Sequence, residues 1–211
     1  MPEVKIIHNA IDVDRMDFDE QKRKEIRRKI GADDSSYVIG NAGRLHFQKN
    51  QSFAIDVFRE YLKINSDALL VLVGQGEDEN ALRERSEDIK DKVIFAGIQT
   101  DMQAWLSSFD LFLFPSLFEG LSVSAMEAQA NGLPVLASEK VIPEEVKIAS
   151  NFLFFSLEAS SKSWADQIEV MRTAFSRNSF TNVRSEFRER GFDISIEAGK
   201  LEGMLYEAIS D

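Results

Sequence analysis

The sequence predicts an α/β fold, built on a doubly wound parallel sheet of about six strands with helices on both faces. Short apolar runs recur along the chain without the alternation expected of a half-exposed strand. Segments with apolar residues at helical spacing lie between these runs. No proline-, glycine- or serine-rich linker interrupts the chain of 211 residues. One domain is therefore expected, with its ligand site at the loops that follow the strands.

The elements follow one another in a regular order. A charged stretch over residues 12–34, with Phe18, Ile26 and Ile30 as a thin apolar stripe, predicts a solvated helix that ends near Gly31. The predicted strands are residues 37–42, 68–73, 93–96, 111–114, 133–137 and 152–155. Further helices are predicted around residues 53–62, 81–88, 102–106, 121–130, 164–175 and 194–208. The chain thus divides into a connecting segment with a charged helix (1–36), a core (37–190) and a C-terminal helix (191–211).

Composition excludes several classes of function. The chain has 36 acidic and 25 basic side chains, so its formal charge of −11 disfavours nucleic acid as a partner. Cysteine is absent and there are two histidines, so disulfides, thiolate metal sites and His-rich metal clusters are not expected. The sequence contains no long apolar run and its start does not resemble a signal peptide, which favours a cytoplasmic protein.

The loop after the first strand carries two cations. Gly43 permits a close turn, and Arg44 and Lys49 stand five residues apart between a strand end and a helix. The two side chains could converge on an anion, Arg44 through two parallel N–H donors and Lys49 through its compact ammonium charge. They could equally be solvated surface cations, and spacing does not decide between the two interpretations.

The loop after the second strand contains Gly74 and Gly76 but lacks the third glycine of a dinucleotide-binding fingerprint. Acidic residues follow immediately, and they would repel a pyrophosphate at the start of the next helix. An NAD site is therefore not expected here. The glycines are expected to allow a tight turn, or a close approach of the backbone to a ligand.

The loop after the fourth strand is the most informative. Glu119 precedes a predicted helix, Ser122 could cap that helix, and free N–H groups at Gly120, Leu121 and Ser122 would attract an anion. Glu127 lies six residues past Leu121, which is about 9 Å further along the helix. A carboxylate there could accept hydrogen bonds from two neighbouring hydroxyls of a ribose. Alternatively, Glu119 only compensates the helix dipole and Glu127 is solvated.

This segment resembles the signature of the retaining glycosyltransferases of family four, which have the GT-B fold of two Rossmann-like halves. Glu119 and Glu127 are separated by seven residues, as in that family. The segments before and after the two glutamates, residues 109–116 and 132–138, also resemble the family's sequences. Further segments that resemble the family lie at residues 9–12, 43–49, 72–76 and 93–97. The resemblance covers the chain from about residue 8 to at least residue 150. Alanine at Ala10 and serine at Ser122 depart from the family's usual glycines.

The resemblance implies a nucleotide sugar, linked to UDP or GDP, as the donor substrate. It implies that Arg44 and Lys49 neutralise the diphosphate, in the loop that begins at Gly43, and that Glu119 contacts the transferred sugar. These three charged residues are the predicted catalytic residues. The resemblance further assigns a phosphate to the N–H groups near Gly120, and the ribose to Glu127. No metal or other cofactor is expected.

Family members have a preceding domain of similar size that binds the acceptor. The chain begins just before the connecting segment, so it is expected to be a C-terminal donor-binding domain with negligible activity alone. The missing domain is expected to bind a glycan or lipid-linked acceptor and could attach the enzyme to the inner face of the membrane. Residues 142–157 resemble enzymes of bacterial exopolysaccharide or capsule synthesis.

Three other functions remain as alternatives. A nucleotide-sugar epimerase or another GT-B enzyme could use the same scaffold, although the two spaced glutamates argue against an epimerase. A non-catalytic nucleotide-binding module could have kept the fold, against which the retained charged residues argue. An NAD-dependent oxidoreductase is disfavoured by the incomplete glycine fingerprint.

Overall fold

The computed structural model describes residues 9–175 and 182–210, with side chains described up to residue 206 in the last helix. The predicted connecting segment before residue 9 lies outside this description, as does the side chain of Ala208 in the predicted C-terminal stripe.

Six parallel strands form one sheet in the order β3-β2-β1-β4-β5-β6. The strands are β1 (Tyr37–Ala42), β2 (Ala68–Val73), β3 (Val93–Gly97), β4 (Leu111–Phe114), β5 (Val135–Ser138) and β6 (Phe152–Phe155). The predicted parallel α/β sheet is therefore confirmed. The fifth strand begins two residues later than predicted, after Pro134, whose ring nitrogen carries no hydrogen to donate to a neighbouring strand.

Eight α-helices accompany the sheet in the described part of the chain. They are α1 (Glu20–Lys29), α2 (Gln51–Tyr61), α3 (Glu79–Arg85), α4 (Met102–Ser108), α5 (Val123–Ala130), α6 (Ser161–Ala174), α7 (Val183–Glu189) and α8 (Ile194–Ser210). Short 3-10 helices cover Phe47–Lys49, Glu87–Lys92 and Glu144–Val146. The polar helix predicted over residues 81–88 is thus split in two, and α7 was not predicted.

Both faces of the sheet are buried, which explains the uninterrupted apolar runs of its strands. Successive strand residues point to opposite faces. On one face, strand residues such as Ile39 and Leu70 pack with Phe58 of α2 and Trp164 of α6. On the other face the core contains Val38, Val71, Trp105, Leu106, Phe109, Phe112, Ala125, Ala128 and Val135, from the strands and from the α4 and α5 region. Helices therefore cover both faces, as predicted.

Helix α1 differs from its prediction. It ends at Lys29, and Gly31 follows with a positive φ of 72°, as the pattern indicated. However, Arg27 is buried and donates to the carbonyl oxygens of Ser108, Asp33 and Ser36 and to the Asp110 carboxylate. The prediction of a solvated helix was wrong for this face, because these hydrogen bonds compensate the burial of a guanidinium.

Helix α8 keeps the predicted apolar stripe, but Ile194, Leu201 and Leu205 on it are exposed. Its start is anchored to the connecting segment, where Ile11 N–H donates to Phe192 O and Ile194 N–H donates to Ile11 O. None of the helices in the described residues combines the length and apolar character of a membrane span.

Candidate functional site

The candidate site lies where the order of the sheet reverses. Strands β1 and β4 are neighbours, although β2 and β3 separate them in sequence. The loops that follow them, residues 43–50 and 115–122, therefore meet at the carboxyl edge of the sheet, which is the usual ligand position in open α/β sheets. Hydrogen bonds join the two loops, from Leu117 N to Gln48 O at 2.8 Å and from Asn50 Nδ2 to Pro115 O at 3.1 Å.

A largely buried ion pair, which neither loop could form alone, stands at this junction. Lys49 Nζ donates to Glu119 Oε1 at 2.7 Å, and the two side chains are 17% and 6% exposed. The ammonium also lies 5.2 Å from the centre of the Phe114 ring. A Cβ on Gly43 would come within 3.1 Å of Lys49 Cε, so the glycine makes room for the lysine stem. Among the described residues, no donor reaches Glu119 Oε2.

The backbone beside this pair offers free donors. The N–H groups of Gly120, Leu121 and Ser122 have no acceptor within the described residues. Ser122 occupies the N-cap position of α5, but its hydroxyl lies 3.2 Å from that of Ser124 and does not cap the helix. The start of α5 therefore presents unpaired N–H groups and the positive end of its dipole, which together favour an anion.

Arg44 does not join Lys49 in the structure. Its Nη2 donates to Glu77 Oε2 at 3.0 Å, and the Arg44 and Glu77 side chains are 69% and 51% exposed. The other oxygen of Glu77 lies 3.2 Å from Nε2 of His46. The two cations of the β1 loop thus have different carboxylate partners, so sequence spacing did not show where each would point.

The glycines of the β2 loop allow its backbone to pack directly against the backbone of the β1 loop. A Cβ on Gly74 would lie 2.0 Å from Gly43 O, and a Cβ on Gly76 would lie 2.1 Å from Leu45 O. The two loops are also hydrogen bonded, with Leu45 N donating to Gln75 O at 3.0 Å. Gly74 has a positive φ of 131°, which fits the predicted turn, but at both positions a side chain is excluded by the close approach of the β1-loop backbone.

Glu127 lines a separate cavity of about 660 Å³. Burial raises the pKa of its carboxyl above the ordinary value, an effect that the charge of Arg15 partly offsets. No hydrogen-bond donor reaches this carboxylate from the described residues. The other lining residues are Arg15, Met16, Lys22, Thr100, Asp101, Met102 and Gln103. A ligand that contacts both Glu119 and Glu127 would have to extend along α5.

Several residues of this region were not predicted from the sequence. The loop after β3, which contributes Thr100 and Asp101 to the cavity, could have been identified because it also follows a strand at the carboxyl edge. Nothing in the sequence indicated Glu77 as the partner of Arg44. No cluster of three or more metal-binding side chains occurs in the described part of the chain, and independence from a metal stays a prediction.

The chain belongs to the group 1 glycosyl transferases, whose family model matches residues 36–172. This confirms the family that the motifs indicated. The chain is 28% identical over 201 residues, 94% of this chain and 52% of the other, to EpsF of Bacillus subtilis (strain 168), which is named as a glycosyltransferase without a stated donor or acceptor. It is 29% identical over 140 residues to an Escherichia coli protein named UDP-Gal:alpha-D-GlcNAc-diphosphoundecaprenol alpha-1,3-galactosyltransferase, covering 64% of this chain and 36% of that one. The chain therefore spans about half or less of these relatives.

Solved structures of glycosyltransferases share the fold. Anabaena HepE, crystallised in complex with UDP-glucose, superimposes with a TM-score of 0.81 at 21% identity, covering 96% of this chain and 57% of that one. The C-terminal domain of LpcC from Francisella tularensis gives a TM-score of 0.63 at 21% identity, covering 88% of this chain and 96% of that domain. At such identities the comparison supports the Rossmann-like fold alone.

Proposed function

We propose that the chain is the nucleotide-sugar-binding half of a glycosyltransferase that moves a sugar from a nucleoside diphosphate to an acceptor. The observation that carries this proposal is the meeting of the Lys49–Glu119 pair with the unpaired N–H groups of α5 at the switch point of the sheet. A largely buried cation, free N–H donors and a carboxylate with one open oxygen suit a sugar diphosphate.

Each group has a chemical role in this proposal. The N–H groups of Gly120, Leu121 and Ser122 hold a phosphate, and Lys49 with Arg44 stabilises the negative charge that builds on the leaving diphosphate. Glu119 accepts from a hydroxyl of the transferred sugar through Oε2. Protein cations supply the neutralisation that a metal ion would otherwise provide.

Glu127 accepts from the hydroxyls of the ribose in the proposed complex. Its carboxylate is half-buried and has no donor among the described residues, so two adjacent hydroxyls would compensate its desolvation. The cavity that it lines has room for a nucleoside, since about 660 Å³ falls within the usual range of small-molecule sites.

The finer features of the activity are proposals as well. Retention of configuration and a UDP- or GDP-linked donor follow from the family resemblance. The E. coli relative is named for a UDP-linked donor and a lipid-diphosphate acceptor, which supports a glycan or lipid-linked acceptor in cell-surface or exopolysaccharide synthesis. The acceptor, and any attachment to the inner face of the membrane, would depend on a second domain of the GT-B fold.

Calorimetric titration with UDP, GDP and their sugar conjugates tests the donor site. We expect at least one nucleotide to bind, and Lys49→Ala to weaken it roughly tenfold or more, since charge-assisted hydrogen bonds contribute about 1.5–3 kcal/mol. Glu127→Ala should also weaken binding. Lys63→Ala is the control, because Lys63 is an exposed lysine just after the end of α2 that pairs with Glu60. A folded chain that binds none of these nucleotides would contradict the proposal.

A further inference from the structure

We propose that Glu77 competes with the donor diphosphate for Arg44 and thereby limits the affinity of the chain for a nucleoside diphosphate. This inference rests on the proposed function and adds a residue to the same site. In the structure the guanidinium of Arg44 already has an anionic partner, at 3.0 Å from Glu77 Oε2. Because Nη2 is engaged, Arg44 can offer both guanidinium N–H edges to a diphosphate only by leaving that carboxylate.

The backbone holds Glu77 in this position. Glu77 follows Gly76 in the β2 loop, and Arg44 precedes Leu45 in the β1 loop. Asp78 N donates to Leu45 O at 3.2 Å, and a Cβ on Gly76 would lie 2.1 Å from the same oxygen. Because the loops are in backbone contact on both sides of Glu77, its backbone is held where the carboxylate reaches Arg44.

The Glu77 carboxylate is a charged competitor at neutral pH. Its pKa lies below the ordinary value, first because its own backbone N–H donates to it and then because of the charge of Arg44. His46 Nε2 lies 3.2 Å from Oε1, so both oxygens of Glu77 face a basic group. The Glu77 carboxylate thus presents Arg44 with a negative charge, as a diphosphate would.

The Arg44–Glu77 pair is also weak enough to exchange. Both side chains are more than half exposed, and solvent-exposed ion pairs are screened by water and salt. A diphosphate carries more negative charge than one carboxylate and can accept two parallel N–H hydrogen bonds from the guanidinium. Arg44 therefore passes from Glu77 to the ligand on binding and returns to Glu77 when the nucleoside diphosphate leaves.

The test compares Glu77→Gln with Glu79→Gln in titrations with UDP and with GDP. Each variant removes one negative charge from the same short segment, but Glu79 pairs with Arg83 and not with Arg44. We expect E77Q to bind the nucleotide about twofold to fivefold more tightly than E79Q, a factor that corresponds to roughly 0.4–1 kcal/mol. Glu77 is exposed, and glutamine keeps its size, so both variants should fold.

A double-variant cycle gives the deciding measurement. In the Arg44→Ala background the gain from Glu77→Gln should disappear, leaving E77Q/R44A equal to E79Q/R44A. Equal affinities of E77Q and E79Q in the presence of Arg44 would overturn the inference while leaving the donor site intact. A gain that persists without Arg44 would overturn it too, since Glu77 would then act on the ligand directly. Failure of the folded, unaltered chain to bind UDP, GDP or any of their sugar conjugates would instead refute the proposed function.

Discussion

Replacement of Lys49 with methionine isolates the energetic role of the ion pair at the candidate site. Methionine removes the ammonium and keeps most of the apolar stem that packs beside Gly43. The Glu119 side chain, 6% exposed, then loses the cation that lies 2.7 Å from its Oε1. Unpairing one partner of a fully buried pair costs about 3–5 kcal/mol, and an exposed pair contributes about 0–1 kcal/mol. Since Lys49 is 17% exposed, we expect a loss of roughly 2–4 kcal/mol in the free energy of unfolding.

Urea denaturation followed by the fluorescence of Trp105 and Trp164 measures this loss, since both rings are buried and become exposed on unfolding. With a slope of about 2 kcal/mol per molar urea, the midpoint should fall by about 1–2 M. The double variant K49M/E119Q should be more stable than K49M, because it leaves no unpaired carboxylate in the site.

Lys63→Met provides a matched control. Lys63 Nζ lies 2.7 Å from Glu60 Oε1, the same distance as in the Lys49–Glu119 pair, but its side chain is 66% exposed. We expect its midpoint to shift by less than about 0.5 M, because exposed pairs contribute little. Equal shifts for the two lysine variants would refute the argument that burial of Glu119 sets the cost.

Two further predictions concern the loops around the site. Gly74→Ala should destabilise the chain by about 2 kcal/mol or more in the same urea assay, because Gly74 has a φ of 131° and the added Cβ would lie 2.0 Å from the Gly43 carbonyl oxygen. Gly120→Ala should change the stability by less than about 0.5 kcal/mol, because no atom lies within 4 Å of the added Cβ. Glu127→Gln should raise the urea midpoint at pH 7 and leave it unchanged below pH of about 4, while weakening nucleotide binding.

The sign of the Glu127 effect follows from the direction of its shift. Burial raises the pKa of the folded carboxyl, so the native state loses stability as pH rises through that pKa. Glutamine carries no charge to desolvate and does not show this loss. A midpoint difference that is the same at pH 4 and pH 7 would exclude burial of the carboxylate as its cause.

For the glycines, equal midpoints of the two alanine variants would show that the β1 and β2 loops can move apart without a loss of stability.

Local patterns in the sequence predicted the secondary structure well. The apolar runs identified all six strands, because both faces of a parallel sheet are buried and each strand then needs apolar side chains on both sides. Errors occurred where tertiary contacts override local polarity. Arg27 is charged and belongs to a charged helix, yet it is buried because the carbonyl groups of Ser108, distant in sequence, and of Ser36, beyond the end of the helix, accept its hydrogen bonds.

The sequence by itself determined the α/β class, the six strands and the loops among which a site should be sought, since these depend on periodicity within short segments. Only the tertiary structure decided that β1 lies beside β4, and with it that Lys49 contacts Glu119 while Arg44 contacts Glu77. Strand order depends on how helices pack across the whole sheet, and no local pattern encodes it. The direction of a long charged side chain depends in turn on which neighbouring loops the strand order brings within its reach.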